Sequence, residues 1–180
     1  MSHAMEEVFA TAECLCPKVE VEQAIDGLAD AIEKRLAGCN PLVLCVLTGG
    51  IALVGQLLPR LCFPLQLDYL HATRYNNQTH GKELAWIAHP TTPLVGRTVL
   101  VVDDILDEGL TMAAIIEYCR KAGAREVFTA VLVRKDCPRQ VELCPDFVGL
   151  EIPNRYVFGY GMDYRGYWRN APGIYAVRGL

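Results

Sequence analysis

The chain has 180 residues, 52% of them hydrophobic, and a net charge of −4 from 17 Lys+Arg against 21 Asp+Glu. That is the size of one domain with a full core, and it excludes both disorder and a two-domain enzyme. No basic block stands out, so nucleic acid is not expected as a partner.

The apolar runs at 42–47 and 99–102 are far too short to cross a bilayer, and no membrane partner is expected. Glu6 and Glu7 with no basic segment before an apolar stretch speak against a secretory signal. The eight cysteines, at 14, 16, 39, 45, 62, 119, 137 and 144, include one close pair, Cys14 and Cys16, with no second pair at zinc spacing. They read as reduced thiols of a cytoplasmic protein.

In chain order, Val21, Ile25, Leu28, Ala29, Ile32 and Leu36 recur at helical spacing, with Gly38 closing the helix. Residues 42–47 read as a buried strand, Gly49-Gly50 as a turn, and 51–58 as a short helix limited by Pro59. Alternation over 65–70 predicts a half-buried strand, and the polar stretch 71–82 a long loop of the kind that serves as a lid. Strands are predicted at 84–88, 98–102 and 127–133, and a helix at 112–121 that stops near Gly123. Repeated strand–helix–strand order predicts an α/β fold with a mainly parallel sheet flanked by helices. The last forty residues, rich in Gly, Pro and Tyr, are expected to form a small flap, so that 1–180 is a single domain with 140–180 contributing the flap.

The informative segment is Val99-Leu-Val-Val-Asp-Asp-Ile-Leu-Asp-Glu-Gly-Leu-Thr-Met112. A buried strand is expected to end on Asp103 and Asp104, a loop to carry Asp107, and Gly109 and Thr111 to lead into a helix. Ligands bind at strand ends in open α/β sheets. A helix N-terminus offers unpaired N–H groups and a positive dipole end to a phosphate. The paired acids suit sugar hydroxyls, a divalent cation, or both. A phosphorylated sugar has both features. The same residues also fit blander readings: a solvated turn, an ordinary N-cap at Thr111, or the acid pocket of a phospho-accepting receiver domain. Neither a P-loop nor a Gly-x-Gly-x-x-Gly turn is present, which disfavours ATP hydrolysis and dinucleotide cofactors.

The run VVDDILDEGLTM resembles the phosphoribosyl-pyrophosphate (PRPP) signature of type I phosphoribosyltransferases, with the third acid of the 6-oxopurine (hypoxanthine-guanine) branch at Asp107. Leu47-Thr-Gly-Gly50 resembles the family's pyrophosphate loop and 71–82 its mobile lid. The stretches at 145–153 and 156–164 resemble its base-binding flap. The resemblance spans residues 40–178.

It implies these roles. Asp103 and Asp104 face the ribose hydroxyls and the water shell of Mg2+. Asp107 is the catalytic acid/base group at purine N7. Glu108, Gly109, Leu110 and Thr111 hold the 5′-phosphate. Lys135 meets the purine 6-oxygen, Tyr156 stacks on the base, and the Val157 backbone reads its edge. Asp163 binds a magnesium carried by pyrophosphate, which Leu47, Thr48, Gly49 and Arg169 contact. Arg74 and Tyr75 belong to the lid. The implied activity is purine salvage: PRPP plus hypoxanthine or guanine gives IMP or GMP plus pyrophosphate, in a cytoplasmic homo-oligomer, dimer or tetramer.

This chain departs from the pattern at three places. Thr48 stands where the loop often has Lys, Arg74-Tyr75 where the lid usually has Ser-Tyr, and Glu108 where many members have Thr. The alternative function is a regulator that keeps the fold to sense PRPP or nucleotides; it would be expected to lose the acid or pyrophosphate contacts, and Asp107, Asp163 and Arg169 are all present.

Overall fold

The computed structural model describes residues 2–74, 84–138 and 141–179. In chain order the elements are α1 (Ser2–Thr11), β1 (Glu13–Cys16), α2 (Lys18–Leu36), β2 (Leu42–Leu47), α3 (Gly50–Leu57) with a 3-10 turn over Leu58–Arg60, β3 (Gln66–Arg74), β4 (Leu84–Ala88), β5 (Thr98–Leu106), α4 (Leu110–Lys121), β6 (Glu126–Asp136), β7 (Phe147–Pro153), β8 (Val157–Phe158) and β9 (Ile174–Ala176).

Apolar residues on both sides of a strand demand cover on both faces of the sheet, and β2 has that cover. Val43 and Cys45 pack with Ile25, Ile32, Leu53 and Leu57 of α2 and α3, whereas Leu42, Leu44 and Val46 pack with Ile115 and Cys119 of α4. The central sheet has the order β4-β3-β2-β5-β6-β7. All neighbours in it are parallel except β3 and β4. A second small sheet, β1-β9-β8, is antiparallel. Phe9 of α1 packs on it, stacking on Trp168 at 4.8 Å. No helix among the described residues is long and apolar enough to cross a membrane, and every cysteine is free.

The elements depart from their predicted bounds for physical reasons. Helix α2 begins at Lys18, before the apolar period, because its first turn is solvated: Val19 is 63% exposed. Its end is turned by Asn40, at φ 45°, rather than by Gly38. Residues 71–74, predicted as loop, extend β3, because β2 supplies a parallel partner as far as His71 and β4 an antiparallel partner as far as Arg74. The rest of the predicted lid lies outside the described residues. Pairing with β6 carries β5 through Asp103 and Asp104 to Leu106. Residues 147–153, assigned to the flap, instead form β7, hydrogen-bonded in parallel to β6. The flap is built from β8, β9 and the N-terminal β1.

The outer part of the sheet is tied down by a polar group. Asp68 of β3 accepts hydrogen bonds from the backbone N–H of Tyr69 (2.8 Å), Thr91 (2.8 Å) and Thr92 (2.7 Å), and from the Thr91 hydroxyl (3.1 Å). Burial alone would raise this carboxyl, but the hydrogen bonds outweigh it and hold the pKa at about 2.

Candidate active site

The C-terminal ends of β2, β5 and β6 open on one side of the sheet, where a loop leads from each parallel strand. A pocket of about 430 Å³ lies there. It gathers Leu47 and Gly49 after β2, Asp103 and Asp104 in β5, Asp107, Glu108, Gly109 and Thr111 after β5, and Lys135 on β6. Tyr156, Val157, Asp163 and Arg169 from the flap region complete it. Residues up to 123 positions apart, from Val46 to Arg169, thus share one cavity. Thr48 and Leu110 do not line it, although each flanks a residue that does. Arg74 is the last residue of β3, and Tyr75 lies outside the described residues.

The floor is a tight contact between the β2 loop and β5. A Cβ added to Gly49 would stand 2.0 Å from Asp104 Oδ2, and one on Gly161 would stand 2.1 Å from the Gly49 carbonyl oxygen. Only glycine allows these three segments to meet. The Leu47–Thr48 peptide bond beside this contact is cis.

At the head of α4, Gly109 takes the left-handed conformation, φ 83°, and serves as the N-cap residue with no side-chain cap. The N-cap residue thus places no side chain over the first turn of α4, whose Gly109 and Thr111 line the pocket. A Cβ here would also meet Val141 Cγ2 at 2.9 Å.

Asp103 and Asp104 are a carboxylate pair in a low-dielectric wall. The Asp104 N–H donates to Asp103 Oδ1 and the Ile105 N–H to Asp104 Oδ1, both at 2.9 Å. Burial, and then the neighbouring Asp104, push Asp103 well above the ordinary carboxylate range. Burial also raises Asp104, with hydrogen bonds and Arg169 opposing it. The pair therefore resists full ionisation until a cation or hydroxyl donors arrive.

Across the pocket, Arg169 Nη2 pairs with Asp163 Oδ1 at 2.6 Å, while its Nη1 donates to the Gly161 carbonyl at 2.5 Å. The Gly166 N–H donates to Asp163 Oδ2 at 2.7 Å. Lys135 Nζ pairs with Asp107 Oδ2 at 2.8 Å. Arg134, the neighbour of Lys135, pairs with Glu151 instead. Tyr156 is exposed and meets Tyr164 edge-on, with centroids 5.6 Å apart and an interplanar angle of 80°, which leaves an aromatic face for a planar ligand.

The sequence reading missed two groups here. Val46, Ala72, Ile105, Leu106, Met112 and Met162 supply apolar lining, and no periodicity separates such residues from ordinary core. Cys137, read only as a free thiol, places its Sγ 3.6 Å from Asp107 Oδ1. Among the described residues no group of three His, Cys, Asp or Glu converges as a metal site. The acids at hand, Asp103, Asp104 and Asp163, are oxygen donors only. They fit a hard divalent cation that keeps water and phosphate oxygens in its shell rather than one caged by protein.

Comparison with known proteins agrees with this chemistry. The family described as phosphoribosyl transferase domain matches residues 17–165. The hypoxanthine-guanine phosphoribosyltransferase of Bacillus subtilis (strain 168) is 30% identical over 175 residues, covering 97% of this chain and 94% of that one. That of Lactococcus lactis subsp. lactis (strain IL1403) is 32% identical over 173 residues, covering 96% and 91%. A solved structure of the Trypanosoma cruzi hypoxanthine phosphoribosyltransferase, in complex with the product IMP, superposes with a TM-score of 0.86 at 28% identity, covering 93% of this chain and 95% of that one. With the matched fold and the matched sequence, the chain belongs to the phosphoribosyltransferase family, in the branch that includes the hypoxanthine-guanine enzymes.

Proposed function

We propose that the protein joins PRPP to hypoxanthine or guanine, giving IMP or GMP and pyrophosphate. The observation that carries this reading is one pocket with an amide cradle at the head of α4 and, beside it, a Lys135–Asp107 pair near the exposed Tyr156. The amides and Thr111 hold the 5′-phosphate. Asp103 and Asp104 accept from the ribose hydroxyls. Tyr156 stacks on the base, Val157 reads its edge through the backbone, and Lys135 donates to its 6-oxygen.

Breaking the bond from ribose C1 to pyrophosphate builds positive charge on the sugar and negative charge on the leaving group. Arg169, held by Asp163, faces the second, together with the amides of the Leu47–Gly49 loop. Asp103, Asp104 and Asp163 would hold Mg2+ or its water shell, and the ion supplies neutralisation of the pyrophosphate charge when bound. As purine N9 attacks C1, Asp107 takes the proton from N7. The departures at Thr48 and Glu108 bear on pyrophosphate and phosphate affinity rather than on the reaction.

A cytoplasmic homo-oligomer, dimer or tetramer, belongs to the same reading. The free cysteines support the compartment, and the exposed Leu67 and Tyr69 on one face of β3, with Ile87 on β4, support the assembly. The test is direct: PRPP, Mg2+ and each purine are mixed with the protein and nucleotide formation is followed. IMP and GMP are expected, and no nucleotide from either base overturns the assignment.

A further inference from the structure

Among the described residues, Lys135 and Cys137 both reach the Asp107 carboxylate, and on the function proposed above Lys135 is needed elsewhere during the reaction. Lys135 lies near the end of β6 and Cys137 just beyond it, two positions on, so both reach the same carboxylate. Lys135 Nζ takes Oδ2 at 2.8 Å. The Cys137 thiol lies 3.6 Å from Oδ1 and 3.7 Å from the Asp107 carbonyl oxygen, a forked S–H contact to both ends of the residue. Asp107 sits in the bend after β5 and its side chain is 49% exposed, so packing alone leaves its carboxylate free to turn. Lys135 is only 12% exposed and lines the pocket.

On the reading above, base binding draws Lys135 from Asp107 to the purine 6-oxygen. That frees Oδ2 to take the N7 proton and removes its restraint at the same moment. The base does not compete for the Cys137 contact. We propose that Cys137 is a positioning residue for Asp107: its thiol keeps Oδ1 and the Asp107 backbone in place while Oδ2 accepts the proton from N7. The inference rests on the function proposed above for the reaction step, and on the structure alone for the contact.

The test compares Cys137→Val, close in size and without a donor, with Cys137→Ser, which keeps one. C137V should lower kcat about fivefold with KM for PRPP unchanged, and C137S should stay within about twofold of wild type, the scale of one modest hydrogen bond. A C137V kcat within about twofold of wild type, or an equal loss in C137S, overturns the proposal. A second measurement does not depend on turnover. Ligand-free crystal structures of K135A and of K135A/C137V should show one Asp107 conformer in the first and several in the second. The same single conformer in both overturns the contact's role. Wild-type protein that forms no nucleotide defeats the reaction reading instead, and the crystal pair still decides the contact.

Discussion

Lys135 and Asp107 form an ion pair across the site, Nζ to Oδ2 at 2.8 Å, that joins the end of β6 to the bend after β5. The group assigned to the purine 6-oxygen and the group assigned to N7 thus neutralise each other in the free protein. On the function proposed above, a 6-oxopurine would exchange that pair for one contact to each side of the base, so that both charges keep a partner.

Asp107→Asn keeps the shape and removes the proton acceptor. Turnover should fall by about a hundredfold or more, the usual scale for a lost general acid/base. KM for PRPP should change far less, because on the proposed reading the phosphate is held at the head of α4 rather than by Asp107. Steady-state kinetics with hypoxanthine decide it, and near-wild-type turnover removes Asp107 from the mechanism.

Lys135 carries three donors and no acceptor. Adenine sets an amino donor opposite the ammonium, donor against donor, so adenine should be inert, with discrimination of roughly 10⁴-fold. Lys135→Ala should lower the rate with hypoxanthine and narrow the gap to adenine. Arg134 is engaged with Glu151 and is not expected to substitute. Unchanged discrimination in the variant transfers base reading to another group.

Gly49→Ala places a methyl 2.0 Å from Asp104 Oδ2. Either the β2 loop or the acid pair must move, and both serve the same pocket. kcat/KM for PRPP should fall about tenfold or more. Gly55→Ala is the control, because its Cβ meets nothing within 4 Å; equal effects of the two would show that the contact with Asp104 is not the cause.

Chelation gives a fourth outcome. Burial raises both Asp103 and Asp104, and the neighbouring Asp104 raises Asp103 further; a divalent cation in their neighbourhood favours the ionised form. EDTA should abolish nucleotide formation, with Mg2+ restoring it. Full activity in metal-free buffer refutes the assignment of these acids.

Asp68 predicts a stability effect away from the site. Its folded pKa of about 2 lies below the ordinary aspartate value of 3.8, so its contribution is present above pH 4 and is lost as pH falls through 2. The difference corresponds to about 2 kcal/mol. Urea unfolding of wild type and Asp68→Asn should differ most at neutral pH, with the gap shrinking by that amount toward pH 2. A gap constant with pH excludes Asp68 as the cause.

The sequence by itself determined the order of strands and helices from α2 to β6 and the segment from Asp103 to Thr111. Its signals there are local: apolar runs covered on both faces, period 3.6 in α2, and acids, glycine and hydroxyl contiguous at a strand–helix junction. The recognition of Lys135, Tyr156 and Asp163 came from ordered motifs rather than from any property of each residue alone.

Only the tertiary structure decided what depends on a distant partner. The polar residues 71–74 are strand because β4 pairs with them, and 147–153 join the main sheet because β6 offers a free edge. The flap needs β1 from the opposite end of the chain, whose four residues carry too short a pattern to be read. Gly49 against Asp104, Arg169 on Asp163, and Lys135 with Cys137 on Asp107 are contacts across 55, 6, 28 and 30 positions. Side-chain direction and loop closure set them, and neither has a period in the sequence.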